Sequence, residues 1–300
     1  MMKQFNDLAK LNQIELKKVL SKKLMQHYDV VYNEDGFLYA QGSKPILLVA
    51  HMDTVHKETP KQIVIENQKI SSPQGIGGDD RCGIYMILEI IKEHDCSVLF
   101  TEDEEVGGIG ADKFVQTALA QSLISQFNFI IEFDRKGKDD AVFYDCENPE
   151  FEEFITQKYF KTNFGSFSDI SIIAPALQVA AVNLSCGYYK PHTTEEYVMF
   201  DEMEKVIQEA SWLIDIADET KFEYIENDYK HYYGRYWYYD AIGNNETGYE
   251  HLWSIDYEDS KKRLGWSEVY AFSEVEAIGR FLMEHDNLTY KDILYIEMIE

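Results

Sequence analysis

No stretch of the sequence approaches the roughly 18 consecutive apolar residues that a membrane-spanning helix needs, which argues against a transmembrane segment. Positive charge is scarce. Lys and Arg number 28 against 54 Asp and Glu, a net charge of −26. Such an excess repels phosphate backbones and anionic lipid, so neither nucleic acid nor a membrane surface is the expected partner. Cysteine is rare too. Cys82, Cys96, Cys146 and Cys186 stand far apart with no CxxC pair, and the N-terminus has no continuous apolar h-region. The thiols therefore read as reduced and buried in a cytoplasmic protein, not as a disulfide framework. Proline stops early, since all six lie at or before Pro191. Against these shortages, 45% hydrophobic content over 300 residues suffices for one large domain, or a large domain with a small companion.

Up to Glu219 helical and strand patterns alternate. A helical stripe runs from Phe5 to Leu24, and Asp29–Tyr32 pairs with Phe37–Ala40 around a turn. Pro45–Ala50 is wholly apolar, the signature of a strand buried on both faces. Helices are expected over Ile84–Ile91, Ala111–Ile124, Pro149–Phe160 and Phe200–Ile216, with strands over Ser97–Phe100, Phe127–Phe133 and Gln178–Leu184. That alternation predicts an α/β domain over residues 1–219: three αβα layers around a mainly parallel, mixed sheet. From residue 220 to 300 the character changes, with 12 of the 21 tyrosines and three of the four tryptophans. Strands over Phe222–Tyr239, Leu252–Tyr257 and Ile293–Ile299, with a helix over Ser273–His285, predict a small aromatic α+β module.

Acidic residues and histidines gather where strands end. The strand Ile46–Ala50 runs into His51-Met52-Asp53, at the carboxyl edge where α/β sheets bind ligands. Gly75-Ile76-Gly77-Gly78-Asp79-Asp80-Arg81-Cys82-Gly83 opens a helix. Its adjacent acids disfavour phosphate and suit a cation, or else simply cap the helix. Glu102-Asp103-Glu104-Glu105 ends another strand, as a solvated acidic loop or as an extended pair whose neighbouring carboxylates point apart. Glu132-Phe133-Asp134 repeats the theme, and His192 follows Pro191 after the strand ending at Leu184. Each stretch alone has an ordinary explanation. Together His51, Asp79, Glu105, Asp134 and His192 offer two imidazoles and three carboxylates, a donor set suited to zinc, with cobalt or manganese as substitutes.

The ordered motifs HMDTV, GGDDRCG, TEDEEVGG, EFD and PHTTEEYV resemble the co-catalytic di-zinc exopeptidases, the superfamily of peptidase T, glutamate carboxypeptidase and aminoacylase. The resemblance implies that His51 and Asp134 complete one metal site and Glu105 and His192 the other, with Asp79 bridging. It implies that Asp53 orients His51, that Glu104 is the general base, and that the Asp79–Asp80 peptide is cis. Only 57 residues separate Asp134 from His192, so the lid and dimerisation domain of larger relatives is expected to be absent. Gly165-Ser166-Phe167-Ser168-Asp169 resembles a turn near these active sites, making Asp169 a candidate supporting residue. The expected activity is metal-dependent hydrolysis of short peptides near a free N-terminus, with Asp at position 134 favouring aminopeptidase over deacylase. The alternatives are an amidohydrolase of N-acyl amino acids and a non-catalytic binding protein on the same fold. The aromatic module has no counterpart in the resemblance, and is expected to limit access to the site or to form only a small core of its own.

Overall fold

The computed structural model describes residues 2–165, 167–217, 219–226, 251–258, 261–271 and 293–299, with single positions between 277 and 288. The backbone divides into two compact units, Met1–Thr162 with Ser168–Glu226, and Asn163–Phe167 with Asn227–Glu300.

The first unit opens with helices α1 (Met2–Ala9) and α2 (Gln13–His27), then strands β1 (Val31–Glu34), β2 (Phe37–Ala40) and β3 (Lys44–His51). Next come β4 (Val64–Glu66), β5 (Lys69–Ser71), helix α3 (Gly78–Ile90), strand β6 (Cys96–Thr101), and helices α4 (Ile109–Val115) and α5 (Ala118–Ser122). Strands β7 (Phe129–Arg135) and β8 (Asp140–Val142), helix α6 (Pro149–Thr156), β9 (Lys161–Thr162) and α7 (Ile170–Leu177) follow. The unit's last elements are β10 (Ala181–Ser185), β11 (Tyr188–Tyr189), β12 (Tyr197–Met199) and α8 (Phe200–Ile216).

Eight strands form the main sheet in the order β1-β2-β6-β3-β7-β10-β8-β9, and its centre, β6-β3-β7-β10, is parallel throughout. Alternation along each central strand feeds two cores. Ile46, Leu48 and Ala50 join Val98, Phe100, Ile131 and Val182 beneath α1, α2, α3, α6 and α8. Leu47 and Val49 join Leu99, Ile130 and Ala181 beneath α4, α5 and α7 on the opposite face. This is the three-layer arrangement that strands apolar on both faces require. A second sheet, β11-β12-β5-β4, was not foreseen, because its strands are only two or three residues long.

Local chemistry divides two segments that read as single helices. Asn12 forms a reciprocal capping box with Glu15, ending α1 and starting α2. Thr117 caps α5 through the Ala120 N–H, so Ala111–Ile124 is two short helices. Phe222 is no strand residue. It packs on Phe129, Phe151 and Phe154 in the first unit's core. Glu223 and Glu226 make isolated antiparallel bridges to Val179 and Cys146, and the remainder of the expected strand, with the turn beyond it, falls at 227–250, outside the described residues. In the second unit β13 (His251–Glu258) pairs antiparallel with both β14 (Leu264–Ala271) and β15 (Ile293–Met298). Ile255, Val269 and Phe281 form its core, and only part of the expected helix over 273–285 is described.

Candidate metal centre

The carboxyl ends of β6, β3 and β7, with the loops that enter α3 and β12, carry the candidate residues. At the end of β3, His51 is buried, and Arg81 donates to the Met52 and Asp53 carbonyls at 3.0 and 3.3 Å. Asp53 is the organising anion here. It lies 3.2 Å from His51 Nδ1 and accepts the backbone N–H groups of Glu104 and Glu105, both at 3.0 Å. Burial would raise its pKa, but the imidazole and these two amides hold it below the ordinary value.

The four-acid run is divided among separate partners. Glu102 takes Lys17 at 2.6 Å and the Gly36 N–H at 2.9 Å, and Asp103 takes Gln13 at 3.0 Å. Glu104 and Glu105 are left to face the centre. They are not extended: Glu104–Val106 form a 3-10 turn, which rotates successive side chains by about 120°. The turn allows both amides to converge on Asp53.

His51 Nε2 lies 3.1 Å from Asp134 Oδ1, and His192 Nε2 lies 2.8 Å from Asp79 Oδ2 and 3.0 Å from Glu105 Oε1. Two groups of donor atoms share Asp79: His51, Asp79 and Asp134, and Asp79, Glu105 and His192, each with its atoms within 4.8 Å of one another. A third group, His51, Asp80 and Glu105, meets the same limit. Thus all five sequence candidates come together. The Asp79–Asp80 peptide is trans, since no described bond is cis and both residues sit in the first helical turn of α3.

The donor set suits hard or borderline divalent cations. Three carboxylates converge with two imidazoles. Bonds to Asp79 and Glu105 push the His192 pKa up to about 11, while for His51 the pull of Asp134 and Asp53 outweighs burial. Burial raises Asp79 and carries Asp80 to about 7. Glu104 is raised well above its ordinary value by burial and then by the charge of Asp134.

Among the supporting residues, Asn183 and the partners of Ser168 escaped the sequence reading, whereas Asp169 is a candidate from the resemblance. Ser168 Oγ lies 2.5 Å from Glu132 and 2.9 Å from Asp134, and Asn183 accepts the Asp134 N–H at 2.9 Å. Asp169 is buried and bonds to Thr101, one strand away from the candidate ligands. Neither Asp79 nor Asp80 caps α3. The N-cap is Gly77, and the Gly77 and Asp79 N–H groups instead meet Glu196 at 2.8 and 3.1 Å. No sequence signal marks that pairing, because the partners lie 117 residues apart.

No family model matches the chain, and no curated protein matches it by sequence. Among solved structures, an aminopeptidase PepT from Bacillus cereus matches with a TM-score of 0.59 at 17% identity, over 71% of this chain and 97% of that one. A tripeptidase from Staphylococcus aureus matches with a TM-score of 0.59 at 15% identity, over 72% of this chain and 97% of that one. The likeness is one of fold.

Proposed function

From a fold shared with an aminopeptidase and a tripeptidase, we propose that this chain is a metal-dependent exopeptidase acting on short peptides near a free N-terminus. The observation that carries the proposal is the pair of donor groups sharing Asp79 at the carboxyl edge of the sheet. His51 and Asp134 would hold one ion, Glu105 and His192 the other, and Asp79 both. Zinc fits the nitrogen and oxygen donors, with cobalt or manganese as substitutes. Two such ions, when bound, would polarise the scissile carbonyl and make water a nucleophile near neutral pH.

The chain's own residues supply the remainder. Asp53 holds His51 through Nδ1, leaving Nε2 directed at Asp134. It also fixes the backbone of Glu104 and Glu105, so one carboxylate anchors ligand and base together. Glu104, which belongs to neither donor group, would accept the proton of the attacking water and return it to the leaving amine. Among the described residues between Asp134 and His192 the chain continues as β8, α6, β9, α7, β10 and β11. Purified protein should be analysed for metal and assayed on aminoacyl-nitroanilides, di- and tripeptides, and N-acyl amino acids, with zinc, cobalt or manganese added. About two ions per chain and turnover of unblocked peptides are expected. Turnover confined to N-acyl amino acids would replace peptidase by deacylase, and metal binding with no turnover would leave a binding protein.

A further inference from the structure

Glu196 lies four residues beyond His192 and is completely buried. Its side-chain bonds all reach other segments. Oε2 accepts the Gly77 N–H at 2.8 Å and lies 3.0 Å from His56 Nε2, while Oε1 accepts the Asp79 N–H at 3.1 Å. A carboxylate offers only acceptors, so the imidazole donates from Nε2.

This arrangement solves a problem set by the sequence of α3. The first N–H groups of a helix have no partners within it. Gly77, at the N-cap with φ 65°, has no side chain to offer them. Glu196 provides both the acceptor and the negative charge that a helix N-terminus favours. Space is kept for the contact. A Cβ on Gly75 would lie 2.2 Å from the His56 ring, and one on Gly78 would lie 2.8 Å from Val198. One buried carboxylate thus joins the segment leaving β3, the turn carrying Asp79 and the loop carrying His192.

We infer that Glu196, with His56 as its donor, is a positioning residue that sets Asp79 and His192 at the spacing a shared cation requires. The inference rests on the metal-centre reading above. It assigns Glu196 no contact with the ion or the substrate. Its effect passes through the Asp79 backbone on one side and the His192 loop on the other.

Metal-free protein titrated with Co²⁺, followed by visible absorption, provides the test. Glu196→Gln keeps the volume but turns one acceptor into a donor facing N–H groups. Affinity at the position formed by Asp79, Glu105 and His192 should fall about 10–100-fold, the usual effect of removing a ligand's support. Hydrogen exchange at the Asp79 amide should quicken even without metal, which separates this role from a general loss of packing. His56→Ala should weaken binding in the same direction by less. Glu195→Gln, at the exposed neighbour paired with Lys190, should leave affinity unchanged. Wild-type affinity in both Glu196→Gln and His56→Ala overturns the inference and leaves the proposed function standing. Should Glu196→Gln fail to fold, an unchanged His56→Ala affinity overturns it alone. A wild-type chain that takes up no Co²⁺ removes the functional proposal and this inference with it.

Discussion

Adjacent carboxylates acquire different work from what surrounds them. Glu105 stands 3.0 Å from His192, among groups that share Asp79, whereas Glu104 is pushed towards neutrality by burial and Asp134. Glu104→Gln keeps the shape and cannot take a proton. It should lower kcat by about 10²–10⁴-fold or more with metal content unchanged. Glu105→Gln removes an anionic donor and should weaken or lose one ion. Metal analysis and turnover of the two variants decide the assignment. Full turnover in Glu104→Gln would sink it, and equal metal loss in both would mean that their roles are wrongly divided. The two glutamates were legible in the sequence as acids at a strand end. Their separation into roles came only as what the family resemblance implies; the residues alone did not give it, and the arrangement that holds the pair depends on Asp53 gathering both amides from 51 and 52 residues away.

At the scale of elements, α3 decides the geometry of the centre, because it carries Asp79 and lies against β3 and β7. Gly83 sets how closely it lies. A Cβ there would come within 2.0 Å of the Phe133 carbonyl oxygen and 3.0 Å of Ala50 Cβ. Gly83→Ala must therefore lift the helix from the strands that end in His51 and Asp134. Overpacking of this kind costs about 1–3 kcal/mol, which urea denaturation should register. Metal affinity should fall with it, since Asp79 moves relative to its partners. A Gly83→Ala protein with wild-type stability and affinity would show that α3 can shift without consequence. The sequence announced this helix by its glycines and its apolar continuation. It gave no sign that the cap would come from another loop, as nothing at Gly77 can form one.

For the whole molecule, the buried groups around the candidate centre are shifted mostly in one direction. In the metal-free chain the pKa values of Asp79, Glu104, Glu132 and His51 are raised, Asp80 and Asp169 stand at about 7, and His192 at about 11. Each binds its proton more tightly folded than unfolded, so its stabilising effect is full below the unfolded value and lost as pH rises through the folded one. For Asp80 and Asp169 that window runs from 3.8 to about 7, and for His192 from 6.5 to about 11. Asp53 and Glu209 are lowered and oppose this only in acid, where their contribution disappears. The melting temperature of metal-free protein should therefore fall between about pH 5.5 and about pH 8.5. A flat or rising profile would contradict the raised values. Zinc should restore more stability at the alkaline end, because there it displaces fewer protons.

The unit boundary gives a second prediction at this scale. Phe222 packs in the first core, and its N–H and carbonyl bond Asn128 and Ala180, both at 2.8 Å. A chain ending at Glu226 keeps these contacts and every candidate ligand. One ending at Thr220 loses them, and should be less stable by about 3–5 kcal/mol, as for deletion of a buried Phe side chain. Thermal unfolding and metal uptake of the two truncations compare them. Equal stability would place Phe222 outside the core.

What the sequence by itself determined was the layering and the chemistry of the donors. Apolar strands alternating with amphipathic helices leave few ways to bury both sheet faces. His51, Asp79, Glu105, Asp134 and His192 stand out only as a set, because each alone has an ordinary explanation while together they offer two imidazoles and three carboxylates. The grouping of the donors around Asp79 came as an implication of the family resemblance, whereas only the tertiary structure decided what supports them. Glu196 on Gly77 and Asp79, Ser168 on Asp134, and Asp53 on two amides are contacts between segments dozens of residues apart. Periodicity along the chain reports local geometry, and it cannot report which distant hydrogen-bond partner burial makes obligatory.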